Sequence, residues 1–158
     1  MGFALSDIQL TSSAFVGGGA IPSKHTGEGE DVSPSLAWMN SPDGTEAFAV
    51  VCHDPDAPLI TPVQYGFVHW VLYNIPGNVA ELAEGTDQHT QGQSDFGKSG
   101  YGGPMPPEGH GLHQYYFWVL ALNSSAEHPA GLSMLDLFAT IEPSVIGMNR
   151  LVGTYQRG

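Results

Sequence analysis

Two carboxylates stand close together in Asp54-Pro55-Asp56-Ala57-Pro58, directly after the apolar run Val50-Val51-Cys52-His53. Proline restricts φ, so this segment reads as a rigid strand exit that fixes where the aspartates sit. His69 lies inside Phe67-Val68-His69-Trp70-Val71-Leu72-Tyr73, a stretch so apolar that its imidazole must find a hydrogen-bond partner there. His113 closes the segment Gly102-Gly103-Pro104-Met105-Pro106-Pro107-Glu108-Gly109-His110-Gly111-Leu112-His113 and leads into Tyr115-Tyr116-Phe117-Trp118. Prolines stiffen such a loop, and glycines let its backbone come close to a ligand. Taken singly, these features describe a proline turn, a satisfied core histidine and a surface loop. Taken together, they could form one ligand site of imidazoles and loop amides beside a carboxylate.

Two other chemistries use the same residues. A hydrolase would take His69 or His113 as general base, but no serine stands in a Gly-x-Ser-x-Gly setting and Cys52 has no activating partner in its own run. A metal enzyme would draw ligands from His53, Asp54, His69, His110 and His113, of which His53 and His110 otherwise read as solvated loop edges. Gly92-Gln93-Ser94-Asp95-Phe96-Gly97-Lys98-Ser99 satisfies P-loop spacing. Its context refuses that reading, because Thr86 to Gln91 form no apolar strand before it and Gly102-Gly103-Pro104 follow where a helix is needed. Gly17-Gly18-Gly19 runs into Ala20-Ile21-Pro22 and reads as a turn.

The elements that must position these groups are short and mostly extended. With 21 glycines and 12 prolines, the chain is cut into apolar runs too short for most helices, the pattern of an all-β sandwich or barrel. The clearest strands are Ala47 to His53, Phe67 to Ile75 and Tyr115 to Leu122, the last two apolar on both parities as strands covered on both faces would be. Asp7 to Thr11 and Leu36 to Asn40 are weaker strands. Helix is expected only after Leu132, where Ser133 and Asp136 form a capping pattern before Leu137, Phe138 and Ile141. Pro143 ends that helix or starts another, a second helical turn is expected through Val145 to Arg150, and Leu151 to Tyr155 should be a terminal strand. Glu84 to Ser99 reads as one long polar loop.

The 158 residues show no internal repeat or dividing linker, so one domain over 1–158 is expected. At that length folding removes roughly 70% of the unfolded chain's surface, enough for a core without staples. Cys52 is the single cysteine, which excludes an internal disulfide and reads as a small buried hydrophobe. The formal net charge of −12, with only Lys24, Lys98, Arg150 and Arg157 as bases, argues against nucleic acid and anionic membrane surfaces as partners. Met1 to Leu10 lack the basic start of a signal peptide, and no apolar run approaches a membrane span, so a cytoplasmic protein without stable membrane insertion is expected. Met1 to Ser6 match a loose myristoylation pattern, but no basic residues follow to support anchoring.

Ser33-Pro34-Ser35-Leu36-Ala37-Trp38, Asp54-Pro55-Asp56-Ala57-Pro58, His69-Trp70-Val71-Leu72-Tyr73-Asn74-Ile75-Pro76, Gly100-Tyr101-Gly102-Gly103-Pro104 with Pro106-Pro107 and Gly109, and Leu151-Val152-Gly153-Thr154-Tyr155 occur in that order. In this the chain resembles the phosphatidylethanolamine-binding proteins, which include the Raf kinase inhibitor proteins and their bacterial and archaeal relatives. The resemblance implies a Greek-key antiparallel β-sandwich with short C-terminal helices and a pocket for phosphate-like groups at one end. It implies a binding and regulatory protein, not an enzyme, that takes a small anionic or phosphorylated ligand, acts on a kinase or protease, and uses no cofactor. A homodimer is implied by the habit of bacterial relatives. The pocket residues carried over are Asp54, Asp56, Pro58, His69, Tyr101, Gly103, Met105, Pro107, His113 and Tyr115. Three positions depart from the family pattern: His25 where a tyrosine is common, Gln114 where an arginine often follows the last histidine, and Glu142-Pro143 where Gly-His is usual. No base lies in any pocket motif, so an anion would rest on imidazoles, loop amides and the Tyr101 or Tyr115 hydroxyl.

Overall fold

A computed structural model describes residues 3–57 and 66–158. In chain order the strands are β1 (Gln9–Thr11), β2 (Leu36–Met39), β3 (Ala47–Asp54), β4 (Phe67–Pro76), β5 (Glu81–Leu82), β6 (Thr90–Gln91), β7 (His113–Leu122) and β8 (Val145–Tyr155). One α-helix, α1 (Met134–Ile141), precedes β8. Two antiparallel sheets result, one ordered β1-β2-β5 and the other β6-β4-β3-β7-β8. After the β3-β4 pair the chain makes a long excursion and brings β7 back beside β3, a crossover of the Greek-key kind.

Alternation along β3 and β7 decides what each face buries. Phe48, Val50 and Cys52 of β3, with Tyr115, Phe117, Val119 and Ala121 of β7, join Leu10, Leu36, Trp38 and Leu82 of the small sheet in one core. Ala47, Ala49 and Val51 face the other way and pack with Tyr73, Leu120, Leu137 and Ile141 beneath α1. Both faces of the central strands are thus covered, which is why these stretches carry no polar parity. Ser133 caps α1 by accepting from the Asp136 amide at 3.1 Å, as its spacing predicts.

Three expectations change. Val145 to Arg150 are not a helical turn: they are the first half of β8, paired from Leu122↔Val145 down to Trp118↔Arg150. A 3₁₀ turn at Glu142–Ser144 completes the reversal after α1, so the whole run is free to satisfy its backbone groups on β7. Glu84 to Ser99 contain the short β6, which pairs with Leu72 and Tyr73. A 3₁₀ turn at Ser23–His25 also lies well before Leu132. Among the described residues no helix is long and apolar enough to cross a membrane.

Candidate functional site

Strand parity brings the candidate residues to one end of the sandwich. Asp54 continues the inward positions Phe48, Val50 and Cys52, and His113 and Tyr115 continue Phe117 and Val119 on the neighbouring strand. His69 arrives by a bulge. Cys52 pairs with Trp70 but His53 pairs with Val68, so β4 carries an extra residue at His69. The bulge turns His69 to the same side as Trp70, where its ring meets Tyr115 edge-on at 5.3 Å.

Each side chain is held by specific partners. Asp54 Oδ1 accepts from the Asp56 amide at 2.7 Å, closing the turn at the strand exit, and Oδ2 lies 2.8 Å from His113 Nδ1. Asp56 accepts from the Gln114 amide at 2.8 Å and so ties this turn to the start of β7. The His69 Nδ1 atom is 2.8 Å from the Gly102 carbonyl, which can only accept. His69 therefore carries its proton on Nδ1, and when neutral it offers Nε2 as an acceptor. Burial holds the His69 ring below the ordinary histidine range, with the Gly102 carbonyl opposing that shift in part. Phe67 and Phe96 pack on it at 5.0 and 5.4 Å.

Tyr115 is fully buried, its ring stacked on His113 at 6.3 Å. Among the described residues its hydroxyl has no hydrogen-bond partner. Burial first, then the charge of Asp54, pushes its ionisation well above the tyrosine range, so the group stays a neutral hydroxyl able to donate and accept.

Asp54, His69, His113 and Tyr115 are thus brought together, while other expected groups are spent elsewhere. The Tyr101 hydroxyl donates to the His25 carbonyl at 2.7 Å, and the Gly103 amide to Asp31 at 2.7 Å. A Cβ at Gly103 would lie 2.1 Å from the His25 carbonyl oxygen, so only glycine fits. The amides of Gly102, Gly109 and His110 are bonded to the carbonyls of His69, Arg157 and Pro107. The expectation that amides of this loop hold an anion is corrected for these four positions: they tie the loop to His69, Asp31 and Arg157 and close its own turn at Pro107. Met105 and Pro107 are exposed on the loop. Pro58 lies outside the described residues.

Three contributors escaped the sequence reading, and a fourth, His110, entered it only as a possible metal ligand. Phe67 and Phe96 wall His69, and Phe96 also carries Lys98 over its ring at 5.6 Å. Arg157 reaches the Pro-rich loop, but its guanidinium is committed to the Pro106 carbonyl at 3.3 Å and to Glu28 at 3.5 Å. His110, read as a loop edge, lies with Nδ1 2.7 Å from His113 Nε2. Residue type alone signals none of these contacts.

Among the described residues no group of three or more histidine, cysteine, aspartate or glutamate side chains is disposed to hold a metal ion. Cys52 is buried in the core, and burial pushes its thiol well up, away from a reactive thiolate. Neither His69 nor His113 is hydrogen-bonded to a serine, threonine or cysteine side chain among the described residues.

A proline-braced carboxylate, two buried imidazoles and a buried tyrosine at one end of a β-sandwich define a binding-site class that comparison places in a family. The phosphatidylethanolamine-binding protein profile matches residues 11–156, and the chain belongs to that family. A UPF0098 protein of Aquifex aeolicus is 38% identical over 157 residues, covering 95% of this chain and 89% of the relative. The crystal structure of a putative phosphatidylethanolamine-binding protein homologue from Chlamydia trachomatis superposes with a TM-score of 0.89 at 32% identity, covering 96% of this chain and 98% of that one. E. coli YbcL, described as a member of the mammalian family, superposes with a TM-score of 0.87 at 32% identity, covering 97% and 100%.

Proposed function

We propose that the protein binds a small phosphate-bearing group in the pocket formed by His69, His113 and Tyr115, and acts by binding, not by turnover. The observation that carries this is the hydroxyl of fully buried Tyr115, without a partner among the described residues, on a ring that lies against both imidazoles. A buried polar group left unpaired costs about 1–3 kcal/mol, a cost that a ligand's hydrogen bond removes. Beside it, neutral His69 offers an acceptor, so the pocket complements an oxyanion that keeps a proton, such as a hydrogen phosphate or a phosphomonoester. The carboxylates of Asp54 and Asp56 disfavour a fully ionised anion at the same place. Family membership and the name of the family support a phosphorylated head group as one source of this chemistry. A phosphorylated side chain is the form in which such a pocket would restrain a kinase or protease.

Calorimetric titration with inorganic phosphate and phosphoethanolamine, with sulfate as the permanently ionised control, tests the reading. Both phosphate compounds should bind more tightly than sulfate near pH ~6, where phosphate is part-protonated. Tyr115→Phe should weaken phosphate by about tenfold or more, the scale of one hydrogen bond to a charged group. Equal affinity of wild type and Tyr115→Phe, or no binding of either phosphate compound, overturns it.

A further inference from the structure

His110 sits on an exposed loop, yet its Nδ1 meets the Nε2 of a His113 ring that is only 2% exposed. The other nitrogen of His113 is already bonded to Asp54 at 2.8 Å. An imidazole nitrogen makes one in-plane hydrogen bond, and this holds in every protonation state. With Nδ1 on the carboxylate, Nε2 is the one ring atom of His113 left for a ligand, and His110 already occupies it. We propose that His110 competes with the ligand: its imidazole covers His113 Nε2, and an incoming phosphate oxygen must take its place. This rests on the binding site proposed above.

The loop is built to let the ring leave. Gly109 and Gly111 flank His110 at φ values of +76° and +100°, and among the described residues neither has an atom beyond its chain neighbours within 4 Å of where a Cβ would lie. Both take a left-handed conformation that glycine adopts freely, and the space beside each is open. The turn itself is anchored on either side of the ring's own motion, by the Gly109 amide on the Arg157 carbonyl at 3.1 Å and the His110 amide on the Pro107 carbonyl at 3.0 Å. The ring can swing out while the turn stays in place. Among the described residues, what holds it in is one part-buried hydrogen bond and an edge contact between the two rings at 4.9 Å.

Two measurements on the full chain test this, one of them independent of any ligand. Carbethoxylation of His113, followed by peptide mass mapping, reads access to Nε2. His110→Ala should raise its rate by about two- to tenfold, the range of one net hydrogen bond. His110→Asn, whose amide can stand near the Nδ1 position, should stay near the wild-type rate. Inorganic phosphate should bind His110→Ala more tightly by a similar factor. An unchanged His113 rate in His110→Ala overturns the proposal, as does weaker phosphate binding by that variant, which would make His110 a ligand instead of a competitor. A faster His113 rate with no phosphate binding to either protein supports the cover over His113 and overturns the phosphate reading alone.

Discussion

His113 Nδ1 lies 2.8 Å from Asp54 Oδ2 with both side chains buried, and this contact joins the strand exit of β3 to the first residue of β7. It fixes the ring's orientation and makes Nδ1 the donor to a carboxylate, so the face that Nε2 presents is set by Asp54. The same carboxylate caps its own turn through the Asp56 amide, so fold and site depend on one side chain.

Asp54→Asn keeps the acceptor for the Asp56 amide but sets an amide NH₂ against His113. The ring must then move its proton to Nε2 or lose the contact. The variant should lose about 1–3 kcal/mol of stability in urea denaturation, the cost of a disrupted buried hydrogen bond, and should bind phosphate more weakly. Wild-type stability and affinity together would show that the contact positions nothing.

Tyr115→Phe separates binding from folding. Because the hydroxyl is buried without a partner among the described residues, its removal should leave stability unchanged or raise it by up to about 1 kcal/mol, even as phosphate affinity falls. A loss of more than about 1 kcal/mol in urea denaturation would mean that the hydroxyl is satisfied within the folded chain.

Acid should weaken the fold through His69. Burial lowers its pKa in the native state, so between the unfolded value of about 6.5 and the lower native value the unfolded chain binds the extra proton. The stability tied to the neutral ring is present above pH ~6.5 and is lost as pH falls through the native pKa. Urea midpoints measured from pH 7.5 to pH 5 should fall, and His69→Asn should flatten that part of the slope. A slope unchanged by His69→Asn would assign the acid loss to other groups.

Much of this molecule is legible in its residues because the relevant forces are local. Apolar runs bounded by proline and glycine mark β3, β4 and β7 to within a residue or two, and Ser133 with Asp136 marks the start of α1. His69 announces itself as a polar group where burial demands a partner, while Asp54 and His113 stand out by their company at a proline-braced strand exit and a loop end. Val145 to Arg150 misled because a short run of apolar residues after a proline suits a helical turn as well as a strand. The pairing with β7 decides it, and that partner is distant in sequence.

By itself the sequence determined which residues must be inside, where the chain turns, and that a buried imidazole at His69 needed a partner, since burial and backbone restriction act on a residue wherever it finally sits. The tertiary structure decided which partners they found. The bulge that turns His69 toward Tyr115 exists only through the offset of β4 on β3. The Tyr101 hydroxyl and the Gly103 amide are withdrawn from the pocket because the segment around His25 and Asp31 packs against them. The Tyr115 hydroxyl is left without a partner among the described residues, and Asp54 meets His113, because strands and loops far apart in the chain meet at one end of the sandwich. Such meetings depend on register and packing between distant segments, which no local pattern of residues encodes.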